Sequence, residues 1–462
     1  MTWPPEERET EYDKFAEWSA LYSGSREKLL EVYQARVGNF WAKDVIKDRV
    51  TMLHVPIAGD IAGVSSDLLF SEKPDIRYDD DSTFEHLDES LDDMDFYSRL
   101  LAGSETAAAL GGVYLKINYD EDVADYPIIN VAQADNAIPR FKWGYLQGVT
   151  FHKVISDNSE EAVWRLLEHR TDDGIKYELF KGNTMILGQK QPLTARGETA
   201  EYDEYVPLPA SGIVYIPNKL PNRLWRGSNL GISDYNGIEN LMDALDETYT
   251  SLLRDIRLGK ARIYVPERYM NNVDGTLKFD VDQEAYEFIN ADPNSDQKID
   301  FNQFKIRTDE HLKTAVELIE KIVSIAGYSP ISFGLNQGNT SAQTATEIKA
   351  RENKSQKTRS KKAKYWTRGI EKILADWLII DNFAFNSNNT LGTPAVILAD
   401  SFTTDPLERA NSIKTLNDAK AASTYLKVKM LHDDWTEEEV EKEVERIQKE
   451  QGIIVDTPDL RT

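Results

Sequence analysis

Between Thr308 and Gly327 apolar residues recur at Leu312, Ala315, Val316, Ile319, Ile322, Val323 and Ala326. This is the i, i+3, i+4, i+7 spacing of an amphipathic helix, closed by Gly327 with Pro330 just beyond. A second helical run opens at Thr344, where Thr344 and Glu347 stand at capping-box spacing, and it continues past Trp377 with no proline and one glycine. Between the two lies Gly-Tyr-Ser-Pro-Ile-Ser-Phe-Gly-Leu-Asn-Gln-Gly-Asn-Thr, residues 327–340, rich in turn formers with apolar residues at its centre. Two long helices around an apolar-tipped loop do not read as a linker. The loop is placed to touch something.

Upstream, the periodicity predicts helices over 5–36, 44–70 and 84–110, the last ending at Gly111 and Gly112. Short β-rich runs broken by turn signals such as Asp173-Gly174 then predict an antiparallel meander over 113–216. Ser233 or Asp234 is positioned to cap a helix carrying Ile238, Leu241, Met242, Leu245, Tyr249, Leu252, Leu253 and Ile256, with Gly259 closing it. Residues 261–305 read as a compact α/β insertion, and 405–431 and 436–451 as helical regions.

The chain has 462 residues, too many for one compact core, so two or more domains are expected. Its net charge of -25 sets up a field that repels phosphate at long range. Tight wrapping of nucleic acid by the whole surface is thereby disfavoured, whereas transient passage of nucleic acid stays open. With no cysteine there is no disulfide, thiolate metal site or Cys nucleophile, which fits a reducing compartment. The N-terminus lacks a signal-peptide pattern and no stretch approaches a membrane span, so neither export by a signal peptide nor membrane insertion is expected.

Chemistry-bearing motifs are mostly missing. The six histidines show no metal-ligand spacing and read as surface or packing residues, so no metal site is assigned. Gly334-x-x-x-Gly338 is too short for a phosphate loop and has no lysine. Gly111-Gly112 precedes a strand instead of joining a strand to a helix, which excludes a dinucleotide fingerprint. Paired acids such as Asp92-Asp93 read as exposed helix-end charge. No catalytic residue and no cofactor are expected.

One cationic run stands against the acidic background: Lys349, Arg351, Lys354, Lys357, Arg359, Lys361, Lys362, Lys364 and Arg368, opposed by Glu352 alone. At about 100° per residue the nine spread around most of a helix, which argues against a one-sided DNA-reading face. They read as a solvated helix or one paired with acidic neighbours in the same assembly. The sharper alternative is contact with DNA phosphates.

Several segments together carry a resemblance. Val55-Pro56-Ile57-Ala58 through Asp67-Leu68-Leu69-Phe70-Ser71-Glu72, then Val214-Tyr215-Ile216-Pro217-Asn218, Gly231-Ile232-Ser233-Asp234, Arg254-Asp255-Ile256-Arg257-Leu258-Gly259-Lys260 and Thr344-Ala345-Thr346-Glu347-Ile348 follow one another in order. In this the sequence resembles the portal, or head-to-tail connector, proteins of tailed bacteriophages, in the class common among phages of Gram-positive bacteria. The resemblance implies an α+β protomer with a β-rich wing over 1–232, stem helices over 233–258 and 306–327, and a small α/β clip over 259–305 between them. It further implies a channel loop over 328–342, a long wing helix over 343–382 and a helical crown over 383–462.

It also implies a homo-oligomeric ring, usually a dodecamer, at one capsid vertex of the virion, assembled in the host cytoplasm. Double-stranded DNA would pass through it, and the terminase large subunit, the head-completion (adaptor) protein and the major capsid and scaffolding proteins would be its partners. ATP hydrolysis would belong to the terminase. The channel-loop residues would be Phe333, Leu335, Asn336, Gln337, Asn339 and Thr340, with Thr344 and Glu347 capping the helix after them. The alternatives are a non-catalytic scaffold or adaptor of a large assembly, which leaves the loop unexplained, and a packaging enzyme, which lacks a phosphate loop and metal-binding acids.

Overall fold

The computed structural model describes residues 2–34, 40–42, 52–155, 162–259, 306–335, 345–398, 406–432, 435 and 437–450, with five strand segments between 262 and 302. Within these, the side chains of 258, 262–302, 345–351, 406–409, 411–412 and 438 are not described. The first predicted helix is two, α1 (Glu9–Ser23) and α2 (Arg26–Tyr33), because Gly24 turns left-handed at φ 61° and Ser25 caps the second by accepting from the Lys28 N–H. Residues 52–56 are not helical, and α3 starts only at Ile57, spanning Ile57–Phe70. The run read as one helix over 84–110 is also two, α4 (Asp81–Asp93) and α5 (Phe96–Leu110). Asp80 caps α4 through the Thr83 N–H at 2.9 Å, and Asp95 at φ 53° separates the pair.

The meander forms as expected but divides into two sheets. Strands β2 (Gly112–Asn118), β3 (Ile128–Gln133) and β10 (Ile213–Pro217) pair antiparallel in the order β10-β2-β3. The larger sheet runs β4 (Ala137–Lys142), β5 (Tyr145–Ile155), β6 (Val163–Thr171), β7 (Gly174–Gly182) and β8 (Gln189–Gln191), with β9 (Tyr205–Pro207) also on β7. Arg170 on β6 joins the sheets from a buried position. Its guanidinium donates to the Ile117 carbonyl at 2.6 Å and to the Asn118 side chain, while Glu168 neutralises it and also binds Lys116 at 2.6 Å. Burying an arginine this way is tolerable only because its donors are matched.

Two cores follow. In one, α8 (Ala345–Phe385) lays Trp366, Ile370, Ile373, Leu374, Trp377 and Leu378 against α4, α5 and the β10-β2-β3 sheet. In the other, α6 (Glu239–Leu258) and α7 (Thr308–Ala326) pack on Phe15, Trp18, Trp41 and Ile61 near the N-terminus. The insertion between α6 and α7 contains β11 (Arg262–Pro266), flanked by parallel β14 (Tyr286–Ile289) and antiparallel β15 (Asp300–Asn302), plus the small ribbon β12 (Asn272–Val273) and β13 (Thr276–Leu277). After α8 the chain returns as β16 (Ala395–Ile397) on β1 (Asp75–Arg77), and residues 1–399 make one compact unit. A second unit, 400–462, holds α9 (Pro406–Asp418), α10 (Thr424–Leu431), begun by the Ser423 cap, and α11 (Glu437–Glu450). The fold is α+β.

The single glycine of α8 has a packing reason. A Cβ on Gly369 would lie 2.6 Å from the Cδ1 and Cγ1 of Ile216, which is fully buried on β10. Gly369→Ala gains about 1 kcal/mol of helix propensity and loses about 1–3 kcal/mol to overpacking. The variant is expected to melt lower than the parent in a thermal scan, and Ile216→Val in the same chain, which removes Cδ1 and keeps Cγ1, should restore only part of the loss.

Candidate functional site

The approach to α6 is built around a buried charge. Ser233 and Asp234 were read as caps of the α6 helix, but the helix begins at Glu239 and its Ile238 cap position makes no side-chain bond. Those two residues serve the preceding helix instead. The Asp234 N–H donates to the Ala108 carbonyl at 2.9 Å and the Ser233 hydroxyl to the Ala109 carbonyl at 2.6 Å, satisfying the last turn of α5. Gly111, left-handed at φ 86°, and Gly231 let the two backbones meet, since a Cβ on Gly231 would fall 2.1 Å from the Gly111 carbonyl oxygen.

The Asp234 carboxylate then points into a polar cluster where four segments converge. Lys219 lies at 2.8 Å and Lys362 of α8 at 2.7 Å, the Tyr328 hydroxyl donates at 2.6 Å, and the Asn218 amide donates at 2.8 Å. The Lys362 ammonium places its other two donors on Ser65 of α3 at 2.7 Å and on the Tyr328 oxygen at 2.8 Å. Burial by itself would raise the Asp234 carboxyl, yet the two lysines and their hydrogen bonds hold it well below the ordinary carboxylate range. Burial draws the Lys362 ammonium down to about 8, with Asp234 opposing, and drives the Tyr328 phenol far up, so it stays a donor. At neutral pH the cluster holds an ion pair fully removed from water.

Tyr328 is the second residue after α7, so the cluster fixes the base of the loop. Gly327 closes α7 at φ 112°, with the Tyr328 N–H returning to the Val323 carbonyl at 3.1 Å and the Gly327 N–H to Ser324 at 3.2 Å. Freed carbonyls at this helix end meet cations and a hydroxyl: Lys354 on Ser324, Lys219 on Ala326 at 3.2 Å, and Thr358 on Gly327 at 2.6 Å. Ser355 accepts from the Ser329 N–H at 2.8 Å and pairs with the Ser332 hydroxyl at 2.9 Å. Lys354, Ser355, Thr358 and Lys362 share one face of α8, and that face grips the C-terminus of α7.

Helices α6 and α7 are antiparallel. Asp255 near the end of α6 binds Arg307 and His311 at the start of α7, each at 3.1 Å, while Tyr328 past the end of α7 reaches Asp234 ahead of α6. The head of α6 is tied down again by two acids, Glu239 and Asp246. Glu239 accepts from the Trp18 indole at 3.1 Å, and Asp246 accepts from the Trp41 indole at 3.0 Å, the His54 ring at 2.8 Å and the Val55 N–H at 2.8 Å.

The expected loop residues are placed unevenly. Phe333 is not at a tip: Pro330–Phe333 form a short 3-10 turn ended by Gly334 at φ 71°, and Phe333 packs against the α6–α7 core with its ring 6.3 Å from Tyr328. Leu335 is half-buried, its N–H on the Pro330 carbonyl at 3.2 Å. Asn336, Gln337, Asn339, Thr340 and Thr344 lie outside the described residues, as do the side chains of Glu347, Lys349 and Arg351. The remaining cations sort by face. Lys354, Arg359 and Lys362 are engaged within the protomer, Arg359 donating to the Leu68 carbonyl at 2.7 Å, whereas Lys357, Lys361, Lys364 and Arg368 are exposed. The nine positions spread around the helix, whereas the four exposed cations without a partner in the protomer fall on one side of it.

Asp234, Lys219, Tyr328 and Ser65 were not read as a cluster. The available signal is local, a charged residue flanked by the apolar positions Leu230, Ile232, Tyr235 and Ile238. Among the described residues, no group of acids and histidines is arranged to hold a metal ion. A cavity of 410 Å³ between α1, α2 and β5 is lined by Trp3, Tyr12, Asp135 and His152 and includes none of the expected residues. Burial lowers the His152 imidazole there to about 4.

Replacing Asp234 with Asn strands two lysines, and breaking a buried pair costs about 3–5 kcal/mol. Because the folded carboxyl sits below its unfolded value of about 4, its contribution is present above that pH and is lost as the pH falls through the acid range. Denaturant titrations should show Asp234→Asn strongly destabilised at pH 7, with the gap to the parent shrinking below about pH 4. A gap that is constant with pH would contradict the ion-pair assignment.

Comparison with known proteins supplies the family. The model of the family described as "Phage portal protein, SPP1 Gp6-like" matches residues 4–454. Among solved structures, one similar chain comes from the "Neck of empty GTA particle computed with C6 symmetry", at 11% identity and TM-score 0.46, covering 85% of this chain and 94% of that one. Another comes from the "Neck of native GTA particle computed with C12 symmetry", at 12% identity and TM-score 0.44, covering 82% and 89%. No curated protein sequence matches. On the family match, which spans nearly its whole length, this chain belongs to the phage portal proteins of the SPP1 Gp6-like family.

Proposed function

We infer that the chain works as a portal by closing into a homo-oligomeric ring, a dodecamer, around a channel for double-stranded DNA at one capsid vertex of the virion. The observation that carries the reading is the pair α6 and α7. They are long and antiparallel, yet Ile256, Leu312, Val316 and Ile325 remain 42%, 43%, 45% and 57% exposed. The apolar stripe is wider than one protomer buries, and identical neighbours in a heterologous, closing arrangement would cover it. Among the described residues no helix is long and apolar enough to cross a membrane, so a bilayer-spanning role for the stripe has no support.

In this reading α6 and α7 are the stem, the 261–305 insertion is the clip that meets the terminase large subunit and later the head-completion protein, and residues 383–462, which include the second unit, are the crown. Contacts with the major capsid and scaffolding proteins and assembly in the host cytoplasm belong to the same reading. The role is structural, with ATP hydrolysis left to the terminase. Residues 336–340 would present amides to passing DNA, and uncharged amides contact phosphates without the salt-dependent hold of lysine. The packed Phe333 and the Asp234 cluster would keep the loop base rigid while its distal part meets DNA.

Negative-stain images of the purified protein should show rings with a central hole, and only monomers or two-fold dimers across salt and concentration would end the reading. Lysines in place of Asn336, Gln337 and Asn339 should leave rings intact and slow packaging. Heads filled at the parental rate would remove these residues from the channel.

A further inference from the structure

The exposed cations of α8 form an ordered row. Lys357, Lys361, Lys364 and Arg368 follow i, i+4, i+7, i+11, so at about 100° per residue they fall within a sector roughly 60° wide, rising about 16 Å along the helix. None of the four takes part in an ion pair among the described residues, although the chain carries a net charge of -25. Four cations left unmatched on one face of so acidic a protein point to a partner outside the protomer.

A matching row lies on another part of the same unit. On α4, Asp81, Glu85, Glu89 and Asp92 follow i, i+4, i+8, i+11 and are all exposed. Asp92 is shared with Lys73 at 3.0 Å, whereas Asp81, Glu85 and Glu89 have no ion pair among the described residues. The two rows have opposite sign and the same eleven-residue rise, and each keeps to one side of its helix, within about 60° and about 80° respectively. In a closing heterologous interface, one face of a protomer meets a different face of the next copy, which is the arrangement two complementary rows require. Long-range repulsion by the acidic surface works against DNA as the occupant, while a second copy of the chain supplies acid at the required spacing.

We propose that the Lys357–Arg368 row of one protomer docks on the Asp81–Asp92 row of the next, setting the register of the ring. The pairing rests on the ring reading above. Exposed ion pairs of this kind select partner and orientation more than they add affinity, so rows of opposite sign would also reject a same-face dimer, in which cations would meet cations.

The test is heterologous complementation with full-length chains. Lys361→Glu with Lys364→Glu puts acid against acid at every interface, and Glu85→Lys with Glu89→Lys puts cation against cation. At about 50 mM salt, where screening is weak, each variant alone should form rings at least about ten-fold less readily than the parent in light scattering, while its thermal midpoint as a monomer stays parental. Mixed in equal amounts, the two should recover rings by alternating, and native mass spectrometry should find only even subunit numbers with equal content of each chain. The neutral pair Lys361→Gln with Lys364→Gln guards against a folding artefact and should show a smaller, salt-sensitive loss. Rings from the Lys361→Glu, Lys364→Glu chain at parental yield overturn the pairing, and if those rings also package DNA slowly the row belongs to nucleic acid instead. Parental protein that forms no rings at all removes the ring reading and the pairing with it.

Discussion

A carboxylate taken out of water must be matched or neutralised, and the meeting of Asp234 with Lys219 and Lys362 is the constraint on which the surrounding geometry depends. Its partners come from the segment after β10, from α8, from the loop base at Tyr328 and, through Lys362, from Ser65 on α3. No pair of these segments can shift without leaving a buried charge short of a partner. The cluster therefore behaves as a rigid joint where α6 begins, α7 ends and α8 passes. Apolar packing of the same volume would hold the parts together with less directional precision, because dispersion contacts have no preferred partner and charged hydrogen bonds do.

Helix α8 shows how one element serves two environments. Its inward face offers Lys354, Ser355, Thr358 and Lys362 to the end of α7, and further along it gives Trp366, Ile370 and Trp377 to the core. Its outward face keeps Lys357, Lys361, Lys364 and Arg368 in water. The inward cations answer the negative end of α7, where carbonyls lack helical partners. This division explains why the seven described cations of the run do not form a uniform basic surface.

For a portal, the combination is physically coherent. DNA must pass without being held, and a net charge of -25 per chain sets up a field that repels its phosphates at long range. In the proposed ring, apolar side chains left exposed on α6 and α7 would supply the adhesion, and charge rows of opposite sign the orientation. Adhesion and register are then separate properties of separate faces.

Much of the architecture was legible from period and punctuation. The α7 stripe, its Gly327 stop, the β meander and the uninterrupted α8 run all follow from local rules. Local rules failed where a residue had a distant partner. Ser233 and Asp234 have the composition of an N-cap, but the end of α5 and the Lys219–Lys362 pair lie closer to their donors and acceptors than the first turn of α6 does. Phe333 stands in a loop rich in turn formers and reads as part of an apolar tip, whereas it packs on the α6–α7 core. Sequence determines which residues are charged and how often they recur along a helix. Which of those charges face water, which are buried as pairs and which turn toward another copy is decided only when helices far apart in the chain come together, because the cost of burying a charge depends on the partner that tertiary packing brings to it.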